Sequence, residues 1–336
     1  MQQPFQLTFL KALASLKLTF AALVVLAAVA VAFLWRDDVP GSVLAPPLGL
    51  LAVNLLAAIV TNHSFRRQGA LLAFHAALLA LVLLVAASRL TYLKGNLELA
   101  DGGEFEGTLV AVDAGLLHPF EKLKQLRFAS LGFEIDYAPG PLRQGIRNTI
   151  ELRPPGGVPS RIVITDHAPL TLDGYRFYPT GNKGFSPTFV WHPADGGAPR
   201  VGTVNLPSYP LHEHGQALEW TPPGTDLKIW TMLEFSEIIL APDRPSSFRP
   251  PREHKLVLRI GETRRELVPG GSAELPGGRL EYRGLRGWMG YTVFYDWTIP
   301  WLLASSVVAV LALGLHFWNK FAAKPWNPEP QDPKEQ

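Results

Sequence analysis

The chain has 336 residues, of which 47% are hydrophobic and 18% charged, and its formal net charge is only +2. Its Lys and Arg residues are not gathered into one block, so nucleic acid is not expected as a partner. There is no cysteine, which excludes disulfides, cysteine metal sites, cysteine haem ligands and thiol redox chemistry. The haem-attachment motif CxxCH is therefore absent, and the chain is not itself a c-type cytochrome.

The N-terminal residues predict a retained membrane anchor, because the first apolar segment is too long for a typical signal peptide and lacks a clear cleavage site. Before it, Phe5, Phe9, Leu13 and Leu16 recur at near-helical spacing within FQLTFLKALASL (5–16). This pattern has two interpretations: a short helix lying in the membrane interface, or an N-terminal extension of the first membrane helix.

Four segments are long and apolar enough to cross a bilayer as helices. They are residues 18–35, 44–61, 69–87 and 299–318. Tryptophans lie at several segment ends, as is typical of the membrane interface. These are Trp35, Trp297, Trp301 and Trp318.

The basic residues beside these segments predict the orientation, because they are enriched on the cytoplasmic side. If the helices alternate in direction, one side carries Lys11, Lys17, Arg66, Arg67, Lys320 and Lys324. The opposite side carries Arg36, Arg89 and Lys94. Both termini are therefore expected inside, and residues 90–297 are expected outside the cytoplasm.

The region between the third and fourth segments is rich in Gly and Pro and contains short alternating or β-branched runs separated by turn signals. The predicted strands are 107–114, 131–137, 148–153, 161–166, 175–180, 187–192, 201–206, 227–232, 255–260, 279–283 and 291–296. The one helical candidate there is 118–128. This indicates one mostly antiparallel β domain of about 200 residues.

The predicted fold is thus mixed, with four transmembrane α-helices and a large extracytoplasmic β-rich domain between the third and fourth. The predicted divisions are an N-terminal membrane domain 1–89, the β-rich domain 90–297, the last membrane helix 298–320 and a polar cytoplasmic tail 321–336. The Pro-rich composition of the tail predicts disorder.

His75 is the leading site candidate, because it lies inside the apolar segment GALLAFHAALLALVLLVAA (69–87). An imidazole at membrane depth is costly and normally has a partner, such as a metal, a haem or a proton path. The alternative is a histidine that hydrogen-bonds to a neighbouring helix and does no chemistry.

Two further histidines are predicted at the same depth, toward the inner leaflet. His63 is at the inner end of the second helix and His316 near the inner end of the fourth, whereas His75 is roughly 9 Å into the third. A haem with one axial histidine from this chain is sterically reasonable. For His63 and His316 the alternative is solvation at the interface.

A different histidine pair, His212 and His214, has the i, i+2 spacing that places two imidazoles on one face of a strand. That arrangement can hold a metal, but no third ligand is visible nearby, so no metal site is predicted.

Taken in order, these segments resemble the ResB family, also called CcsB, the membrane component of System II cytochrome c maturation. The resemblance is carried by FLKALASLKLTFAALVVLA (9–27), LLAFHAALLALVLLVAASRLTYLKGNLELADGGEF (71–105), DHAPLTLDGYRFYPTGNKGFSPTF (166–189) and YTVFYDWTIPWLLASSVVAVLALGLHFW (291–318). It covers nearly the whole chain, and the order and spacing of the segments make it specific.

The resemblance implies that His75 is a haem axial ligand and that haem b is shared with a CcsA-type membrane partner. Together the two subunits would move haem outward and attach it to apocytochrome c. The partner must be a separate polypeptide, because this chain lacks the tryptophan-rich segment of CcsA. The implied location is the bacterial cytoplasmic membrane, with the large domain on the periplasmic side.

Near the outer boundary, Arg36 and Arg89 are weak candidates for pairing with haem propionates, and the alternative is that they are ordinary interfacial anchors. Two other functions remain open. One is a b-type haem subunit for quinol-linked electron transfer, with His75 and His316 as a ligand pair. The other is a membrane scaffold without a cofactor.

Overall fold

The computed structural model describes residues 3–36, 39–154 and 156–322, and for residues 3–7 and Arg66 it describes the backbone alone. The described residues form two compact units. The helical unit comprises 1–93, 113–118 and 296–336, and the β unit comprises 94–112 and 119–295. Lys324 and all but the first two residues of the predicted tail 321–336 lie outside the described residues.

Seven α-helices occur in the described part of the chain. They are α1 (Gln3–Leu13), α2 (Leu16–Trp35), α3 (Ala45–Thr61), α4 (His63–Arg67), α5 (Gly69–Thr91), α6 (Phe120–Gln125) and α7 (Ile299–Ala322). A 3-10 turn, Gly41–Leu44, precedes α3. By length and composition α2, α3 with this turn, α5 and α7 can each cross a membrane, which confirms the four predicted apolar helices.

In the helical unit α5 packs between α3 and α7, and α2 packs on α3. The buried residues of α7 are Ala309 and Ala312, and small side chains of this kind allow two apolar helices to approach closely. Most other side chains of α2 and α7 are exposed. The helices are therefore apolar nearly all round, as expected of helices whose surroundings are apolar.

The break between α1 and α2 makes α1 a separate helix rather than an extension of α2. Ser15 at the break is extended, and its hydroxyl accepts a hydrogen bond from the Lys17 N–H at 3.2 Å. Asn54, a buried residue of α3, satisfies the groups that the break leaves open. Its amide donates to the Leu13 and Ser15 carbonyls at 2.6 and 3.2 Å, and its oxygen accepts from the Thr19 hydroxyl at 2.7 Å.

Replacing Asn54 with Leu is expected to lower the free energy of unfolding by about 1–3 kcal/mol, because the Leu13 carbonyl loses its donor in apolar surroundings. Unfolding of the full chain in detergent measures the change. The matched control is Val53→Ala, since the neighbouring Val53 is 48% exposed. Equal stability of the Asn54 variant and the control would contradict this account.

The β unit is built from three sheets. Its strands lie between α5 and α7 in the amino-acid sequence, which confirms the predicted β-rich region. The strands are β1 (Leu93–Ala100), β2 (Glu104–Phe105), β3 (Ala111–Ala114), β4 (Phe128–Tyr137), β5 (Arg143–Leu152), β6 (Ser160–Ile164), β7 (Leu170–Leu172), β8 (Tyr175–Pro193), β9 (Arg200–Thr203), β10 (Ala217–Trp220), β11 (Ile229–Glu234), β12 (Ser246–Ser247), β13 (Lys255–Ile260), β14 (Thr263–Leu267), β15 (Ser272–Leu275) and β16 (Gly278–Tyr295).

The largest sheet has seven strands in the path β3-β1-β16-β8-β7, with β15 beside β16 and β9 beside β8. A four-stranded sheet runs β10-β11-β13-β14, and a five-stranded sheet runs β12-β4-β5-β6 with β2 beside β4. The two smaller sheets are antiparallel throughout. Each predicted strand overlaps an observed one. Seven observed strands are not among the predictions, namely β1, β2, β7, β10, β12, β14 and β15. The predicted helix 118–128 is shorter, because its last residue, Phe128, already begins β4.

The predicted separation of strands 175–180 and 187–192 is wrong, because both belong to the single strand β8. Likewise 279–283 and 291–296 both belong to β16, and the two long strands pair antiparallel along most of their length. The intervening glycines serve a bulge rather than a turn. The register shifts between Met289 and Tyr291, and a Cβ at Gly290 would lie 3.1 Å from the Cβ of Asn182.

Aromatic side chains fill the core of the β unit. Phe105, Phe128 and Phe177 are fully buried, and their ring centroids lie between 5.0 and 5.4 Å apart. They come from β2, β4 and β8, so the cluster joins the five-stranded and seven-stranded sheets. Tyr291 of β16 adds a polar link, since its hydroxyl donates to the Asn148 side-chain oxygen of β5 at 2.9 Å.

Lys183 of β8 is a buried cation, with 2% of its surface exposed. Its ammonium donates to the Tyr209 carbonyl at 2.9 Å and lies 5.0 and 5.3 Å from the ring centroids of Tyr137 and Phe248. Burial lowers the pKa of Lys183 from 10.5 to about 8, and the charge of Arg143 adds to the effect. The aromatic faces and the carbonyl thus stabilise a charge that no carboxylate of the described residues neutralises.

The contribution of Lys183 to the stability of the β unit, measured as the difference from the Lys183→Met chain, is therefore expected to rise from about pH 8 to pH 10.5. Over this window the unfolded chain holds the Lys183 proton while the folded chain has released it, which is worth up to about 3 kcal/mol. Buried tyrosines such as Tyr137, whose pKa is raised by burial, act in the opposite sense above about pH 10 in both chains. Urea unfolding of both chains at several pH values measures the difference, and the exposed-site control Lys228→Met should show the same rise relative to Lys183→Met. A difference that does not change with pH would contradict the assignment.

Candidate functional site

The candidate site lies in the first third of α5, where His75 is half-buried. Its Nδ1 lies 2.8 Å from the carbonyl oxygen of Leu71, one helical turn earlier. A carbonyl can only accept a hydrogen bond, so Nδ1 carries the proton and donates it. The neutral ring then has its lone pair on Nε2. This nitrogen has no hydrogen-bond partner within the described residues.

Two aromatic rings restrain the imidazole further. Phe65 of α4 stacks on it with centroids 4.0 Å apart and planes 26° apart, and Phe74 contacts it edge-on at 5.3 Å. Asn62 helps to place Phe65, because its side chain accepts the Ser64 N–H at 3.0 Å and so begins α4. Histidines that ligate iron or zinc usually donate their other ring N–H to a carbonyl or carboxylate, and the ring of His75 meets that condition.

The half-buried His316 lies on α7 and shares a cavity with the start of α5. The cavity has a volume of about 680 Å³, and Leu71, whose carbonyl accepts the His75 proton, also lines it. The structure therefore brings His316 to the same end of α5 as His75. His63, at the start of α4, is exposed and is two residues from Phe65, and it does not line this cavity.

The two arginines proposed for haem propionates lie elsewhere. Arg89 is in the last turn of α5, about 21 Å along the helix axis from His75 at about 1.5 Å per residue. Its guanidinium lies 5.0 Å from the centroid of the Tyr92 ring, and its Nε is buried without a hydrogen-bond partner in the described residues. Arg36 follows α2 and is exposed. The structure does not bring Arg89 into the surroundings of His75.

At the Arg89 end, a hydrogen-bond network joins α5 to the beginning of α7. Asp296 accepts from the N–H and hydroxyl of Thr298, the residue before α7, at 2.9 and 2.6 Å. The same carboxylate accepts from the Ser88 hydroxyl at 2.7 Å, and the Trp297 ring N–H donates to the Thr91 hydroxyl at 2.9 Å. This network fixes α7 against α5 and thereby sets which residues of α7 lie beside the start of α5.

His212 and His214 lie in an exposed turn before β10 and not on a strand, so they do not share a strand face. Tyr209–Pro210 precedes them, and the turn is closed by the His212 N–H donating to the Ser208 carbonyl at 2.8 Å. No group of three or more His, Cys, Asp or Glu side chains that could hold a metal ion occurs in the described ranges.

Asn54 and Lys183 are the polar residues that the sequence analysis missed. A lone Asn in an apolar segment of membrane-spanning length is itself a signal, since such a side chain requires a partner. Lys183 has no comparable signal, because its burial results from the long pairing of β8 with β16.

No model of a known protein family matches the chain, and no curated protein matches it.

Proposed function

We propose that the chain is a ResB-like subunit of a membrane complex that delivers haem and attaches it to apocytochrome c. The proposal rests on how the His75 ring is hydrogen-bonded and packed. The Leu71 carbonyl fixes its neutral tautomer, Phe65 restrains its ring, and Nε2 is left as the available iron ligand. A neutral imidazole is also the least costly nitrogen ligand at membrane depth.

In this proposal haem is the cargo, and the chain binds and orients it. His75 Nε2 holds the iron on one side, and the Leu71 carbonyl stabilises the ring orientation and raises the basicity of the ligand. The weaker candidates His63 and His316 do not serve as the first ligand, because His63 is exposed and His316 lies at the end of α7. The covalent attachment itself belongs to the complex rather than to this chain alone.

The opposite axial ligand comes from a CcsA-type partner that packs on α5 and α7. Exposed small residues are available for close helix approach at Ala76 of α5 and at Ala304 and Ser306 of α7. Ala309 and Ala312 are not available, because they are buried within the helical unit. The partner surface is therefore the side of each helix that faces away from its neighbour in this chain.

The layout of the chain fits this role. Four helices of membrane-spanning length and the basic residues beside them support a bacterial cytoplasmic membrane protein whose β unit is extracytoplasmic. In that position the β unit can hold an extended apocytochrome segment by strand addition. The two smaller sheets have outermost strands β10 and β14, and β12 and β6, of which β6 and β14 are among the longer edges.

A second candidate is a b-type haem subunit for quinol-linked electron transfer. One observation favours it: His316 and Leu71 line the same cavity, which places histidines of α5 and α7 toward one end of the helical unit. This function requires a stable, redox-active haem in the isolated chain that quinol analogues reduce. The haem-delivery function instead requires haem retention that depends on the partner subunit.

Replacing His75 with Gly is expected to weaken haem retention by the complex, because the iron loses an axial ligand. Added imidazole should restore part of it by filling the vacated coordination site. His75→Ala should also lower the yield of holocytochrome c while the protein remains in the membrane. The absorption spectrum of the complex purified with its partner measures haem content, and immunoblotting of membranes measures the protein.

The control for this experiment is His63→Ala, which removes an exposed histidine of the neighbouring helix. It should leave the haem content and spectrum unchanged. The proposal fails if His75→Ala retains haem with an unchanged spectrum, since His75 would then be a hydrogen-bonded structural histidine.

The proposed orientation is tested by reporter fusions. Fusions after Arg67 and after Lys324 should be active only with a cytoplasmic reporter, because basic residues cluster on that side. A fusion within the β unit, after Gly261 in the exposed turn between β13 and β14, should be active only with an extracytoplasmic reporter. Extracytoplasmic activity after Arg67 or Lys324 would refute the orientation.

A further inference from the structure

The cavity between α4, the start of α5 and the end of α7 is lined by cationic and polar side chains that take no part in haem ligation by His75. Its volume is about 680 Å³. Arg67 ends α4, Lys320 lies in the last turn of α7, and both line the cavity. Residues far apart in the chain thus bring two cationic side chains to one opening.

The other polar side chains of the cavity can donate hydrogen bonds. Gln68, His316 and Asn319 line it, and no Asp or Glu of the described residues does so. Within those residues neither Arg67 nor Lys320 forms an ion pair. Two cations facing one cavity repel each other, and an anion between them removes the repulsion. The cavity is therefore suited to a ligand with several negatively charged acceptor oxygens.

The surroundings of the cavity indicate which anion this is. Beside Lys320, α7 exposes three aromatic side chains: Phe317 is 44% exposed, Trp318 is 72% exposed and Phe321 is 66% exposed. Exposed aromatic residues at the end of an apolar helix are typical of the level of lipid headgroups. Lipid phosphates lie at that level, and basic pockets between membrane helices are known to bind anionic headgroups.

We propose that this cavity is a binding site for the headgroup phosphate of an anionic phospholipid. Arg67 and Lys320 bind the phosphate oxygens, and Gln68 and Asn319 supply neutral donors. The acyl chains lie along the exposed apolar surface of α7. The site ties the end of α7 to the α4–α5 junction, one helical turn from His75, and does so independently of whether His75 binds haem.

The test uses the full chain purified in a zwitterionic detergent, with native mass spectrometry to count bound lipids. Phosphatidylglycerol is expected to bind at least tenfold more tightly than phosphatidylcholine. The double variant Arg67→Gln/Lys320→Gln should lose that preference. The charge-conserving double variant Arg67→Lys/Lys320→Arg should keep it, which distinguishes lost charge from a misfolded chain.

The matched control is Lys11→Gln/Lys17→Gln, which removes two exposed lysines that do not line the cavity. It should bind phosphatidylglycerol like the original chain. Equal binding of the two lipids, or an unchanged preference in the Arg67→Gln/Lys320→Gln variant, would overturn the proposal.

Competition identifies the source of the anion. Inorganic phosphate at millimolar concentration should displace little phosphatidylglycerol, because it lacks the acyl chains. Iron-free protoporphyrin, which carries two carboxylates, should not displace it either. Displacement by protoporphyrin that depends on Arg67 and Lys320 would overturn the lipid assignment and identify the cavity as a porphyrin carboxylate site. Binding of phosphate alone, without lipid, would overturn it as well.

Discussion

The structure of the helical unit depends on one constraint: a polar group within its apolar helices is costly unless a neighbouring group of the protein satisfies it. Asn54 shows how the constraint is met, since its amide serves the carbonyls exposed where α1 ends and α2 begins. Asp296 accepts from the N–H of Thr298, the residue immediately before α7. These bonds fix the positions of α1, α2 and α7, and with them the surroundings of α5.

His75 satisfies this constraint with one nitrogen alone. Its Nδ1 is bonded to the Leu71 carbonyl, whereas Nε2 has no partner within the described residues. Asn54 uses both its amide N–H groups and its oxygen in hydrogen bonds. His75 differs, because its Nε2 remains available to a ligand. The proposed haem ligation gives that nitrogen a partner, and the stacking of Phe65 keeps it available by holding the ring.

Much of the fold could be predicted from the sequence, because long apolar runs and alternating runs have few alternative structures. The four apolar helices and the β-rich region follow from those runs. The pairing of β8 with β16 could not be predicted from such runs, because Gly181 and Gly184 carry the same turn signal whether they end a strand or form a bulge. Local composition cannot distinguish these cases without knowledge of the partner strand.

The position of His75 in an apolar helix could likewise be predicted, but its hydrogen bond to the Leu71 carbonyl could not, since that bond depends on the side-chain rotamer. The cavity of Arg67 and Lys320 was equally inaccessible to sequence reasoning. In the sequence both residues are topology signals, and only the packing of α5 on α7 brings them together. The outer arginine Arg89 lies several helical turns from His75 along α5, as the spacing of the two residues within one helix implies.

The central claim is that His75 presents an unprotonated Nε2 to haem iron. The most direct test is the ¹⁵N nuclear magnetic resonance spectrum of the histidine-labelled chain in complex with its partner, with His75 assigned by comparison with His75→Gln. The account predicts an Nδ1-protonated ring before haem is added and selective loss of the Nε2 signal when ferric haem binds. An Nε2-protonated ring, or a His75 signal that haem leaves unchanged, would contradict it.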